Sequence, residues 1–135
     1  MEAGALTGGL IGARLTGVAG ASDVFVGGIV SYASRVKFAL LDVPDGPVVS
    51  PEAAGAMAIG VRRVLGADVG IAATGVAGPT EQEGREVGTV CFGIAIGDVV
   101  TTHEVRLPGQ RNLIRELSVI SLLAALRQRL LTEGN

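Results

Sequence analysis

Two glycine-rich stretches carry the first chemical suggestion in this chain: Thr7, Gly8, Gly9, and the run Thr74, Gly75, Val76, Ala77, Gly78, Pro79, Thr80. Glycines in the first turn of a helix leave bare N–H groups at its positive end, where a phosphate or a developing oxyanion can be held. Small residues just beyond a buried strand let the backbone approach a ligand without side chains in the way. Each stretch taken alone also reads as a plain turn. Tyr32 and Lys37 lie between them, at the end of one expected strand and about one turn into the helix after it, so both can face one cleft. Arg111 and Arg115 open the last helix, where positive charge opposes the helix dipole unless an anion is close. Two guanidiniums there could hold a phosphate or carboxylate. A solvated pair, with Arg115 bonded to Glu116 or Glu104, is the alternative.

The remaining reactive types point inward or outward. Cys91, between Val90 and Phe92, reads as a core thiol, and as the single cysteine it excludes an internal disulfide or a multi-cysteine zinc site. His103 falls in a polar strand and reads as solvent-facing.

Elements able to position these residues follow in order. Thr7 is a candidate cap for a helix carrying Leu10, Ile11, Ala13 and Leu15. Residues 24–32 read as a strand with a glycine bulge, and residues 34–41 as a short helix. Ser50, Pro51 and Glu52 start a helix that Gly66 ends. Arg62 and Arg63 are expected on its wet face. Residues 67–73 read as a central strand covered on both faces. Residues 80–86 form a polar segment, a candidate lid. Residues 87–96 and 98–107 read as an antiparallel edge hairpin turning at Gly97 and Asp98. The longest helix spans residues 112–131, with Leu113, Leu117, Ile120, Ala124 and Leu131 as its apolar stripe. The sum is an α/β fold, a three-layer-like sandwich whose mixed, mostly parallel sheet carries flanking helices.

Composition bounds the rest. The 135 residues fit one domain, residues 1–135, with a core of Val, Ile, Leu and Ala because aromatics make up only 3%. Net charge is −2 and the cations are scattered, so no nucleic-acid footprint stands out. The opening residues lack a signal-peptide pattern and no apolar run is long enough to span a membrane, which makes a cytoplasmic address the default and a membrane partner unexpected.

The ordered set of motifs resembles the C-terminal domain of the competence/damage-inducible CinA family. It comprises Leu-Thr-Gly-Gly-Leu-Ile-Gly-Ala-Arg-Leu-Thr from Leu6, Gly-Gly-Ile-Val-Ser-Tyr ending at Tyr32 with Lys37 beyond, Val-Ser-Pro-Glu ending at Glu52, Thr-Gly-Val-Ala-Gly-Pro from Thr74, Val-Gly-Thr-Val from Val87, and Pro-Gly-Gln-Arg ending at Arg111. The resemblance runs from Thr7 nearly to the end. It implies an α/β sandwich and hydrolysis of the nicotinamide amide of nicotinamide mononucleotide to nicotinate mononucleotide and ammonia, in pyridine-nucleotide salvage, with no metal and no cofactor. Lys37 matches the family's general base and Tyr32 the tyrosine beside it. Thr7, Gly8, Gly9, Thr74, Gly75, Ala77, Gly78 and Arg111 are the matching substrate-binding candidates.

Three departures accompany the resemblance. The family's nucleophilic serine precedes the threonine of the Thr-Gly-Gly turn by two residues, and here that position is Ala5. A methyl group offers no proton to take and no acyl-enzyme, so impaired hydrolysis is expected. Thr7 is the only nearby hydroxyl that this reading finds, and it is expected to be occupied in capping. Family members also carry a helix and a strand before this turn. The chain is short there by comparison, which suggests either a bare sheet edge covered by a neighbouring chain or segment, with a homo-oligomer favoured, or a natural start that lies earlier. The connector over residues 42–50 is shorter than the family's loop. A non-catalytic nucleotide-binding domain or an oligomerisation module therefore stands beside the impaired amidase.

Overall fold

The computed structural model describes residues 2–4 and 6–133, with side chains described for residues 6–132. Among the described residues five strands form one sheet: β1 (Glu2–Gly4), β2 (Gly28–Val30), β3 (Val69–Gly75), β4 (Thr89–Ile96) and β5 (Val99–Arg106). Their order across the sheet is β2-β1-β3-β4-β5. β1 runs parallel to both β2 and β3, whereas β3, β4 and β5 are successively antiparallel.

The expected mostly parallel sheet is thus corrected. The parallel strands β1 and β2 have 3 residues each, while the antiparallel ladders run along β3 with 7 and β4 and β5 with 8 each. Two local readings account for the difference. The run 24–32 pairs only over Gly28–Val30, because two glycines weaken its strand character, and a 3₁₀ turn at Ala21–Asp23 precedes it. Residues 2–4, in which no strand was expected, pair in the middle of the sheet with β2 and β3, so the expectation of an edge bared by a missing neighbouring strand does not hold at this point.

Four α-helices among the described residues cover the two faces: α1 (Leu10–Thr16), α2 (Ser34–Leu41), α3 (Pro51–Leu65) and α4 (Arg111–Glu133). Side chains alternate along a strand, and β3 shows this plainly: Ile71 and Ala73 point into one core with α1 and α4, Ala72 into the other with α2 and α3. Val90, Phe92 and Ile94 of β4 join the first core. The outcome is helix, sheet, helix in three layers. No described helix is long and apolar enough to cross a membrane.

α3 begins and ends as its sequence dictates. The Ser50 side chain accepts from the Ala53 N–H at 3.1 Å, Pro51 fills the first helical position, and Gly66 closes the helix at φ 62. Its buried face is built of small residues, including Ala54, Gly55, Ala58 and Gly60. Gly70 and Gly93 oppose it from the sheet, and a Cβ on either would fall well inside contact distance of the Ala58 or Ala54 carbonyl oxygen. α3 consequently lies with its backbone almost on β3 and β4.

On α4 the expected stripe is also corrected. Ile114, Val119 and Leu122 are buried with Ser118, while Leu113, Ile120 and Leu131 are exposed. An apolar pattern on both faces left the choice open to sequence; the core selected the face that also brings Arg129 to the Ile94 and Val99 carbonyls, each 2.6 Å away.

Gly93→Ala forces α3 away from the sheet. We expect destabilisation of about 1–3 kcal/mol, the range for overpacking a tight interface, seen as a lower urea midpoint with an unchanged slope.

Candidate functional site

The parallel strands β1, β2 and β3 all end at the same side of the sheet, and the residues following each end converge there. Leu6 comes shortly after β1, Tyr32 after β2, and Thr74 to Gly78 from the end of β3. Ser34 and Lys37 of α2, Val48 and Val49 of the connector, Thr80, Gln82 and Arg111 complete the lining. The cleft holds about 620 Å³, counting its open mouth. Because α1 follows β1 onto one face and α2 and α3 follow β2 onto the other, this crevice lies where the winding of the sheet reverses, the place where open α/β sheets admit ligands.

Lys37 is a buried ionisable side chain in the wall of this cleft. It is only 2% exposed, and its Nζ donates to the Ser31 carbonyl oxygen at 2.8 Å. Removing the ammonium from water lowers its pKa below the ordinary 10.5, and the Glu83 carboxylate opposes that shift only in part. The local sequence explains the burial. α2 presents Lys37 and Leu41 to the interior one turn apart, and Phe38 packs beside them with Val48, Val49 and Val76.

Hydrogen bonds fix the cleft's walls. Thr74 Oγ1 donates to the Val48 carbonyl at 2.7 Å, tying the end of β3 to the connector. Glu83, at φ 56, accepts from the Val48 N–H at 3.0 Å and the Val49 N–H at 2.9 Å. Arg85 pairs with Glu104, and Glu86 with Arg106. The segment read as a lid is therefore fastened at several points. Arg111 donates to the Gly78 carbonyl at 2.7 Å and to Tyr32 Oη at 3.0 Å. Arg115 is bonded to neither Glu116 nor Glu104; it donates to the Leu6 carbonyl and the Thr7 carbonyl, both at 3.0 Å. The first arginine faces the cleft, and the second clamps the turn before α1.

Lys37, Tyr32, Thr74, Gly75, Ala77, Gly78 and Arg111 thus come together as read from sequence. Thr7, Gly8 and Gly9 form the adjoining turn and are not among the lining residues. Thr7 does not cap α1. Gly9 occupies the cap position at φ 100, and Thr7 Oγ1 is buried with no hydrogen-bond partner among the described residues. Ala5 lies outside the described residues; its chain neighbours are Gly4, the last residue of β1, and Leu6 on the cleft wall. His103 is exposed on β5, as expected. Cys91 is buried, and its thiol is pushed up to about 11, chiefly by burial and then by Glu104. Such a thiol is a core residue rather than a nucleophile.

Sequence reading missed Ser34, Glu83 and the Val48–Val49 backbone. The spacing of Ser34 to Lys37 on one helix was a usable signal, whereas nothing in the polar segment marked Glu83 as the acid that returns to the connector.

Comparison with known proteins gives the family and the fold. Residues 2–130 match the CinA C-terminal domain family. The chain belongs to that family. A CinA-like protein of Frankia casuarinae is 51% identical over 130 residues, covering 93% of this chain and 30% of that protein. A "putative competence-damage inducible protein" of Limosilactobacillus fermentum is 51% identical over 121 residues, 84% of this chain and 29% of its own length. The chain therefore spans about 30% of the length of these curated relatives. Among solved structures, a CinA superfamily protein from Enterobacter cloacae superposes with a TM-score of 0.92 at 32% identity, over 96% of this chain and 80% of that one.

The lowered Lys37 pKa makes a signed stability prediction. Between the folded value and 10.5 the unfolded chain binds the additional proton, so burial costs stability fully below that window and the cost lifts as pH rises through it. Lys37→Met removes the charge. We expect the variant to be more stable than the parent near neutral pH, with the difference shrinking toward pH 10.5, in urea titrations across pH.

Proposed function

We propose that this cleft binds nicotinamide mononucleotide and is organised for hydrolysis of its amide to nicotinate mononucleotide and ammonia, at a rate depressed by the absence of a hydroxyl at position 5. The observation that carries the reading is Lys37, a desolvated amine at the carboxyl ends of three parallel strands, within a member of the CinA C-terminal domain family. A lysine that loses its proton more readily than usual can accept one from a hydroxyl during attack on a carbonyl. Exposed Arg111, pre-set by Gly78 and Tyr32, supplies fixed positive charge at the mouth for the phosphate. Gly75 and Gly78 leave room for the nucleotide against the backbone.

In this arrangement the mononucleotide's phosphate sits near Arg111 and its carboxamide points inward toward Lys37. A serine at position 5, placed between the end of β1 and Leu6, would complete a serine–lysine pair. The alanine that stands there favours a second reading, a domain that binds the nucleotide without turning it over.

Ammonia release separates the two. Ala5→Ser is expected to raise hydrolysis of nicotinamide mononucleotide by roughly 10³-fold or more, the scale on which a missing nucleophile depresses a hydrolase, with little change in binding by calorimetry. Binding by both proteins with release by neither supports the non-catalytic reading. Absence of binding in both removes the pyridine nucleotide from the account.

A further inference from the structure

Ser34 and Lys37 stand three residues apart on α2, so their side chains share one face of the helix. Helical side chains lean toward the N-terminus, and Lys37 does so far enough for its Nζ to reach the Ser31 carbonyl at 2.8 Å, a residue that precedes Ser34 in the chain. The amine therefore runs back past the turn that Ser34 begins. Both residues line the cleft. Ser34 is half-buried and open to a reagent, and no described residue hydrogen-bonds its hydroxyl; the helix cap is Ala33, which has no side-chain oxygen to offer. Two other hydroxyls nearby are less free. Thr74 Oγ1 is spent on Val48, and Thr7 is 0% exposed.

We propose that Ser34 is a nucleophile of this cleft and Lys37 its general base, a dyad contained in one helical turn that acts on an amide carbonyl when position 5 offers no hydroxyl. The proposal rests on the amidase reading for its substrate but not for its chemistry. The neutral Lys37 amine takes the Ser34 Oγ proton as the Oγ–C bond forms. Collapse of the tetrahedral adduct breaks the C–N bond, and the Lys37 ammonium returns the proton to the leaving nitrogen, which departs as ammonia. Water, deprotonated by Lys37, then attacks the Ser34 ester. The Oγ–C bond breaks, Oγ recovers the proton, and the carboxylic acid is released. Lys37 then has an oxygen nucleophile one helical turn away even though the residue at position 5 is alanine.

A fluorophosphonate reports an activated serine without requiring any amide substrate, since Oγ displaces fluoride and stays bound to phosphorus. Treatment of the 135-residue chain should place the adduct on Ser34 by peptide mass spectrometry. Ser34→Ala should abolish it. Lys37→Met should slow its formation by about a hundredfold, the usual contribution of a general base, with the circular dichroism spectrum retained, and in the parent the rate should climb with pH as Lys37 loses its proton. No adduct on Ser34, or labelling indifferent to Lys37→Met, overturns the proposal. Failure of Ala5→Ser to release ammonia from nicotinamide mononucleotide removes the amidase reading instead, and the labelling result decides the dyad separately.

Discussion

A single buried ammonium sets the terms for the rest of this molecule. Lys37 lies in the wall between the sheet and α2 with the Ser31 carbonyl as its bonded acceptor and Glu83 as the acid whose charge favours its protonated form. Desolvation outweighs that charge. The burial in turn depends on how close two helices come. Gly60 of α3 faces the backbone of Leu41 at the end of α2, where a Cβ would overlap the Leu41 carbonyl. Without that glycine the end of α2 would have to shift away from α3.

The same economy of side chains shapes the cleft. Its walls come from segments far apart in sequence, and each is tied by a polar side chain reaching a backbone group: Thr74 to Val48, Glu83 to Val48 and Val49, Arg111 to Gly78, Arg115 to Leu6 and Thr7. All but the Thr74 bond are charge-assisted and cost more to break than neutral ones. Held in this way, loops that lack secondary structure present a fixed surface, and little reorganisation is left for a ligand to drive. Arg111 serves both ends, since the bonds that position it leave its guanidinium at the mouth.

Much of this was legible from local signals. Ser50, Pro51 and Gly66 fixed the ends of α3, and Gly97 with Asp98 fixed the hairpin, because capping and turn chemistry depend on a few neighbouring residues. Lys37, Tyr32, Arg111 and the stretch after β3 were found together because motif order survives folding. What escaped the sequence was decided at long range. Three residues at 2–4 carry no strand signature and become one only through two parallel neighbours. α4 has apolar residues on two faces, and packing alone chose between them. Thr7 had the type of a helix cap, but glycine at φ 100 took the position and left its hydroxyl buried. The role of Glu83 arises from a fold-back onto Val48 that no local pattern encodes.

The most direct test of the account is the titration of Lys37 itself, the single lysine of the sequence, followed by NMR of its Nζ-adjacent carbon, with Lys37→Met as the blank that identifies the resonance. The account predicts a midpoint below 10.5 and a displacement of that midpoint when nicotinamide mononucleotide is added, because the ligand changes both the water and the charge around the amine. A midpoint at the ordinary lysine value, unmoved by the nucleotide, would contradict it.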